Sequence, residues 1–502
     1  MYYIQALGEA FWELLGYGSA AKVDLITKML GTFGKFHFAL LILLCISKFP
    51  IAFHQMAIIF LAPKVVYTCE GETNACPCPN PVYDRSIFTD TIVMKWDLIC
   101  EKKPLISLSQ TIFQLGTLIG SVVFGMASDR FGRRKPMIFA IVVQSAFGFL
   151  AASIETFWTF NFVRFIVGLS VGGTMVIGFV ILMEYTAQQH REIISAIYQV
   201  PFNLGHTLIP VFSYFFRDYR HFQMAGSTST LICLLYFCFL PETARWLIAM
   251  KQTERAINVL TTLAKINGRP TANIRTDVLT YQLQAERNKL KKGDITDLFR
   301  TPNLRKNILC CSFNWFSCSY CFYGVSQYIG QLSGNAFINV AASAIVALLG
   351  TLSSVPLMRS MGRRTILLLC HLISSLCLFF LAILPSKSGD MSIICACAGT
   401  VTSFIVFLVV YLYTSELFPT VVRNAAMGFC SMVARIGSMI APFIIDLQAI
   451  KPWLAPVGFA LVPLACFFIT LKLPETKGCQ LTTTIAEGEE FGKKKPKKGE
   501  KV

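Results

Sequence analysis

Charge is scarce in this chain, and acid is scarcest: 28 Asp and Glu stand against 45 Lys and Arg in 502 residues, and charged residues together make up 15%. Soluble domains carry about 25%, so an evenly water-facing surface is excluded. No G-x-x-x-x-G-K-[ST] sequence occurs, so the chain has no phosphate-cradling loop for ATP, and any driving energy must come from a gradient. The first 35 residues lack a compact apolar core followed by a cleavage site, and no cleaved signal peptide is expected. No nucleophile–base arrangement placed for catalysis is seen, which argues against an enzyme. Nothing in the chain calls for a cofactor.

Long apolar runs take the place of charge. The chain is 54% hydrophobic. Twelve runs are each long enough to cross about 30 Å of hydrocarbon: 36–61, 105–127, 136–154, 158–183, 193–213, 224–240, 307–328, 336–357, 365–384, 391–414, 425–447 and 453–472. Six fall on each side of a polar stretch. The sides also repeat each other. "SDRFGRRK" (Ser128–Lys135) returns as "RSMGRRT" (Arg359–Thr365), with 230 residues from Gly132 to Gly362. "EYTAQQHR" returns as "ELFPTVVR", 232 residues from Glu184 to Glu416, and "PETARW" as "PETKG", 233 residues from Pro241 to Pro474. Three landmarks in one order at one offset indicate a duplicated membrane half, the build of secondary transporters with a site near mid-membrane between the halves.

The formal net charge of +17 would suit nucleic acid, but it sits in loops. Segment 248–306 holds twelve Lys/Arg against five Asp/Glu, loop 128–135 four basic residues against one acid, and the tail from Lys472 eight basic residues including "KKKPKK" (Lys493–Lys498). Short basic loops stay on the cytoplasmic side, which places both termini and the 248–306 loop inside. Contact of the tail with anionic lipid is a further reading.

The chain therefore divides into a cytoplasmic lead-in (1–35), a first six-helix half (36–247) with one long outside loop (62–104), linker helices (248–306), a second half (307–472) and a basic tail (473–502). The tail from Glu487 is read as polar and disordered. Of eighteen cysteines, thirteen lie in the runs as small buried residues. Cys69, Cys76, Cys78 and Cys100 lie in the outside loop, where an oxidising compartment favours two disulfides in one of three pairings. Irregular spacing and a loop without His weigh against zinc. The loop also has no N-x-S/T acceptor.

"GMASDRFGRRK" (Gly125–Lys135) joins spans 2 and 3. Asp129 ends a helix beside Arg130, Arg133, Arg134 and Lys135, and Gly125 and Gly132 allow close approach and a tight turn. The segment resembles the loop signature of the major facilitator superfamily, which implies a cluster that pairs with neighbouring helices and holds one end state closed. Glu184, Arg191, Glu242 and Arg245 are its candidate partners. Gly362, Arg363, Arg364, Glu416, Arg423 and Glu475 are the equivalents in the second half, where Arg359 replaces the acid. Fixing topology is the plainer role for these charges. Gly116/Gly120 and Gly168/Gly172 are small-xxx-small pairs that let helices pack closely.

Ionisable residues at bilayer depth are functional candidates. Lys48 in span 1 and Arg435 in span 11 lie about 18 Å along their helices; His54, His206 and His371 add weakly basic groups. No Asp or Glu lies as deep: Glu184 and Glu416 sit at the cytoplasmic ends, and Asp446 near the outer end of span 11. An unmatched positive pair favours a bound anion or carboxylate. On span 7, Phe316, Tyr320, Tyr323 and Gln327 share one helical face and suit either an aromatic cavity wall or helix packing.

Three stretches carry a closer resemblance. "FGKFHFALLILLCISKFPIAFHQMAIIFLAP" (Phe33–Pro63), "YDRSIFTDTIVMKWDLIC" (Tyr83–Cys100) and the markers "PETARWL", "ELFPTVVRN" and "PETKG" are similar to the organic cation, organic anion and carnitine transporters, with wording close to that of insect members. The resemblance implies a twelve-helix, all-α major facilitator fold and plasma-membrane transport of small organic ions by alternating access. Within "MVARIGSMIAPF" (Met432–Phe443), Arg435 stands where cation-transporting members carry Asp and where anion and carnitine members carry Arg, whereas Thr351 stands where some anion transporters have Lys. The expectation is transport of organic anions or zwitterions, held by Arg435, Lys48, His54 and the span 7 face. Organic cation or carnitine uptake, drawn by Asp446 or an aromatic cage, is the alternative, and a non-transporting ligand sensor on the same fold is a second. The partners implied are a small organic ion and the lipid bilayer, without nucleic acid or ATP; a coupling ion or an exchanged anion is left open.

Overall fold

In a computed structural model of the chain, residues 25–69, 72–187, 190–287, 294–385, 389–419, 421–479, 482 and 484–492 are described. Residues 1–24 and the run Lys493–Lys498 lie outside them.

All twelve apolar runs are helical. Span 1 is Lys35–Met56, continued by Ile58–Leu61; spans 2 to 5 are Pro104–Phe131, Arg134–Ala151, Phe157–Tyr185 and Arg191–Phe215. Span 6 runs through Tyr219–Leu231, a tighter turn Ile232–Leu235 and Tyr236–Phe239. Spans 7 to 12 are Pro302–Ile329, Ala336–Ser360, Arg363–Ile383, Gly389–Leu417, Arg423–Asp446 and Leu454–Thr470. Among the described residues, nine of these helices are long and apolar enough to cross a membrane by length and composition. Span 12 is shorter, at 17 residues. Spans 5 and 7 are diluted by buried polar side chains, Asn203 and His206 on one and Asn307, Asn314 and several serines on the other. On span 5, Asn203 reaches Thr351 across the seam, whereas on span 7 Asn314 meets His371 and Thr470 within the second half.

The halves join along two helix pairs, span 2 with span 11 and span 5 with span 8. The repeat turns span 2 into span 8 and span 5 into span 11, so each pair is the image of the other. Ser107 and Thr111 donate to the carbonyls of Pro442 (3.0 Å) and Met439 (2.8 Å), and Asn203 donates to Thr351 Oγ1 (2.7 Å).

Within the first half, spans 2 and 4 lie backbone to backbone. A Cβ on Gly116, Gly120, Gly168 or Gly172 would overlap the carbonyl oxygen of Phe165, Leu169, Phe113 or Thr117 respectively. The paired glycines thus act as read, each pair admitting the other helix's backbone. Gly120→Val should push the two helices apart and lower the melting temperature of the purified protein by several degrees or prevent folding, because backbone cannot give way as a flexible side chain can. Unchanged melting would refute the tight packing. Gly125 differs: the nearest atom to its Cβ is Val176 Cγ1 at 4.0 Å, so it is not a close-approach glycine.

The 62–104 loop forms a three-stranded antiparallel sheet, Glu72–Thr73, Tyr67–Cys69 and Val82–Tyr83 in that spatial order, pinned by disulfides Cys69–Cys78 and Cys76–Cys100. It is fastened to the first half. Trp96 Nε1 donates to the Glu155 carbonyl (2.8 Å), the Glu155 carboxylate pairs with Lys95 and Arg220, and Tyr219 N donates to the Asp90 carbonyl (3.0 Å).

At the opposite end, linker helices Thr253–Ile266 and Ile274–Arg287 pack on the start of the first half. Asn267 accepts from Phe36 N (2.8 Å) and donates to Leu30 O (2.9 Å), and Lys28 pairs with Asp277 (2.8 Å). Over residues 487–492 the tail departs from the expectation of disorder. Ile485–Glu490 is a helix begun by a Thr484–Glu487 capping box, and the Glu489 carboxylate accepts from Asn303 N and Leu304 N (2.9 and 3.1 Å). A carboxylate on these orphan N–H groups complements the dipole of span 7 and extends its start to Pro302, five residues before the apolar run.

Candidate functional site

Two charge networks at the basic-loop end reproduce the sequence repeat in three dimensions. In the first half, Gly132 (φ +94°) turns the chain so that the N–H groups of Arg133 and Arg134 reach the Glu242 carboxylate (2.8 and 3.3 Å). The Arg133 guanidinium binds Glu184 (2.8 Å) and Asp129, Arg134 donates to the Phe237 carbonyl (2.6 Å), and Arg245 to the Glu184 carbonyl (2.7 Å). In the second half, the N–H groups of Arg363 and Arg364 reach Glu475 (2.8 and 3.1 Å), Arg363 binds Glu416 (3.2 Å), and Arg364 donates to the Leu471 carbonyl (2.7 Å). Arg191 and Arg423 each donate to a carbonyl five residues back, of Thr186 (3.4 Å) and Phe418 (3.3 Å).

In each network a carboxylate caps the N-terminus of a span while a second binds its arginine, so helix dipole and ion pair act together. A Cβ on Gly132 or Gly362 would overlap the capping carboxylate. Arg130 stands apart, over the ring of its neighbour Phe131 (5.4 Å). All of these bonds lie within one half.

The seam holds the other candidates. Lys48 is 2% exposed; its ammonium lies 4.1 Å from the centroid of the Tyr198 ring and 3.5 Å from Gln199 Oε1. Arg435 reaches across from the second half to Met175 Sδ (3.5 Å), with Tyr323 and Tyr411 close enough for its charge to act on them. Lys48 and Arg435 also act on each other. Among the described residues no carboxylate pairs with either cation. Gln55 links the groups: it accepts from the Tyr323 hydroxyl and donates to the same Met175 sulfur (3.0 Å). Aromatic rings close the sides, Trp315 against Tyr411 (4.2 Å) and Phe179 against Tyr411 (6.2 Å), with Phe322 among Phe202, His206 and Phe404.

The predicted substrate residues divide accordingly. Lys48, Arg435 and Tyr323 come together, and Gln327 lines a cleft toward the disulfide-loop end with Gln110, Lys103 and Asp446. Tyr320 does not join them. Its hydroxyl donates to the Gly458 carbonyl of span 12 (3.0 Å), its ring packs on Phe459, and Phe316 stacks on it (5.8 Å). The shared helical face thus splits at Tyr320, whose side chain serves packing against span 12. His54 is also displaced: a Cβ on Gly148 of span 3 would meet its ring at 3.3 Å, inside the first half. Sequence reasoning missed Gln55, Met175, Tyr198, Tyr411 and Phe322.

Toward the disulfide-loop end the seam is shut. Phe337 of span 8 lies between Phe60 (5.5 Å, stacked), Phe88 of the loop (5.5 Å) and Tyr214 (5.8 Å), all from the first half. A Cβ on Gly330 would meet Ile59 at 2.7 Å.

Two six-helix halves related by a repeat, with unmatched cations and aromatic rings between them, define a transporter of the major facilitator class. A family profile described as "Sugar (and other) transporter" matches residues 50–485. The chain is 31% identical over 525 residues to an organic cation transporter-like protein of Drosophila melanogaster, covering 93% of this chain and 92% of that one. It is 32% identical over 446 residues to human solute carrier family 22 member 12, covering 88% and 80%. The inward-open structure of the xylose transporter XylE from E. coli superposes with a TM-score of 0.67 at 15% identity, covering 89% and 98%, a likeness of fold. The chain belongs to the organic cation, organic anion and carnitine transporter family of the major facilitator superfamily. It is therefore a membrane transporter of a small molecule rather than an enzyme.

Proposed function

We propose that the protein carries small organic anions or zwitterions across the plasma membrane by alternating access, with both termini and the basic loops in the cytoplasm. The observation that carries this reading is Arg435, which reaches across the seam to a methionine sulfur with Lys48 nearby and no carboxylate among the described residues paired to either. A half-buried guanidinium offers a substrate carboxylate a two-pronged, charge-assisted contact. Lys48 adds attraction, and the rings of Tyr323, Phe322, Tyr411 and Tyr198 supply aromatic faces suited to a flat organic body. The two charge networks hold the ends of spans 3 and 9 and take part in switching between end states.

Organic cation or carnitine transport has its own support. Asp446 Oδ2 is buried without a hydrogen-bond partner and faces the cleft that Gln327 lines, and the Drosophila relative bears an organic cation transporter-like name.

Side-by-side tracer uptake decides between them. Cells expressing the protein should accumulate a small aromatic carboxylate over mock cells, and a quaternary ammonium ion much less; carnitine, a zwitterion, reports the intermediate case. Preferential quaternary ammonium uptake would overturn the anion reading and place Lys48 and Arg435 among structural groups. Binding without flux in proteoliposomes would make the protein a sensor.

A further inference from the structure

A third cation lies inside the first half, away from Arg435 and Lys48. Arg164 of span 4 is 4% exposed. Its Nη2 donates to Gln110 Oε1 (3.1 Å), while Nε and Nη1 have no hydrogen-bond partner among the described residues. The rings of Phe113 and Phe160 lie 5.3 and 5.8 Å from the guanidinium carbon. No carboxylate among the described residues pairs with it. The charged groups of the adjacent cleft, Lys103 and Asp446, act on each other instead.

A guanidinium stays protonated wherever it is placed. Burying it costs several kcal/mol after relaxation, by order of magnitude, unless a counter-charge answers it. Aromatic faces recover only part of that cost. The missing counter-charge should therefore be a ligand, and the surroundings favour a small one with acceptor character. Neighbouring polar groups are donors or can be: His54 lies near enough for Arg164 to act on it and has an unpartnered Nε2, and the Gln114 amide, one helical turn from Gln110, is buried with neither polar atom bonded. Gln110 also lines the cleft between the halves.

We infer that Arg164, with Gln110, holds a small inorganic monovalent anion such as chloride inside the first half, separate from the substrate site. The bound anion would neutralise the span 2–span 4 interface and favour the folded transporter.

The test uses the purified full-length protein in detergent. At equal ionic strength, replacing sodium gluconate by about 100 mM sodium chloride should raise the melting temperature by about 3 °C or more, as expected for millimolar binding to the folded state alone. Arg164→Gln should abolish that rise, and Arg435→Ala should keep it. A crystal soaked in bromide should show an anomalous peak within hydrogen-bonding distance of the Arg164 guanidinium; this map decides even if Arg164→Gln fails to fold. A chloride effect that survives Arg164→Gln but is lost in Arg435→Ala would move the anion to the substrate site, overturning this inference while leaving the proposed transport intact. No chloride effect, or water in place of a bromide peak, would overturn it as well.

Discussion

Arg435→Asp should abolish uptake of a small aromatic carboxylate while leaving the protein at the cell surface. Truncating one member of a desolvated, hydrogen-bonded charge pair costs about 2–5 kcal/mol, which corresponds to about 30-fold or more in kcat/KM; reversing the charge adds repulsion. Arg435→Lys should fall between, because an ammonium keeps the charge but loses the planar fork. Lys48→Ala should have the smaller effect, since the ammonium already lies over the Tyr198 ring, at 4.1 Å from its centroid. Surface abundance should hold, because Arg435 makes no described ion pair and its loss strands no buried acid. Carboxylate uptake unchanged by Arg435→Asp would sink the substrate role. A gain of quaternary ammonium uptake in that variant would instead show that charge at this one position sets the preference.

The fold was legible because its signals are long and redundant. Twelve apolar runs and three repeated landmarks each point to paired six-helix halves, and the glycine pairs Gly116/Gly120 and Gly168/Gly172 mark the same close helix contact from both sides. The charge networks were legible for a similar reason: duplication made Glu184 and Glu416, or Glu242 and Glu475, recognisable as one part used twice. The seam was only partly so. Helical periodicity assigns residues to a face but does not name the helix opposite, so Tyr320 was grouped with Tyr323 although it meets span 12. Gln55, Met175 and Tyr198 carry no pattern of their own. Gln55 meets Met175 within the first half and Tyr323 across the seam, 120 and 268 residues away in sequence, and such pairings exist only after distant helices have packed. The Ile485–Glu490 helix was hidden because its support comes from a distant partner, the open N-terminus of span 7.

Asp129→Ala should cut transport about tenfold or more without lowering surface abundance, and this variant separates a moving part from a topology signal. Asp129 is the network member least committed to the present state: its side chain is 75% exposed, and its side-chain partner is Arg133, four residues on in the chain. Exposed pairs of this kind contribute about 0–1 kcal/mol, so the fold should not notice the loss. Arg133 contrasts with it. With side-chain exposures of 11% for Arg133 and 16% for Glu184, removing the arginine strands a buried carboxylate at about 3–5 kcal/mol, and Arg133→Ala should reduce transport while depressing thermal stability too. Arg133→Ala alone cannot tell gating from structure, but the pair of variants can. A network that only fixes topology predicts normal turnover for Asp129→Ala. A network that re-forms across the seam in the other end state predicts the loss, because there Asp129 would exchange Arg133 for a partner in the second half. The second half supplies a control. Arg359 stands at the position of the acid, so Arg359→Ala should leave the switch unaffected if Asp129 alone makes the cross-seam contact.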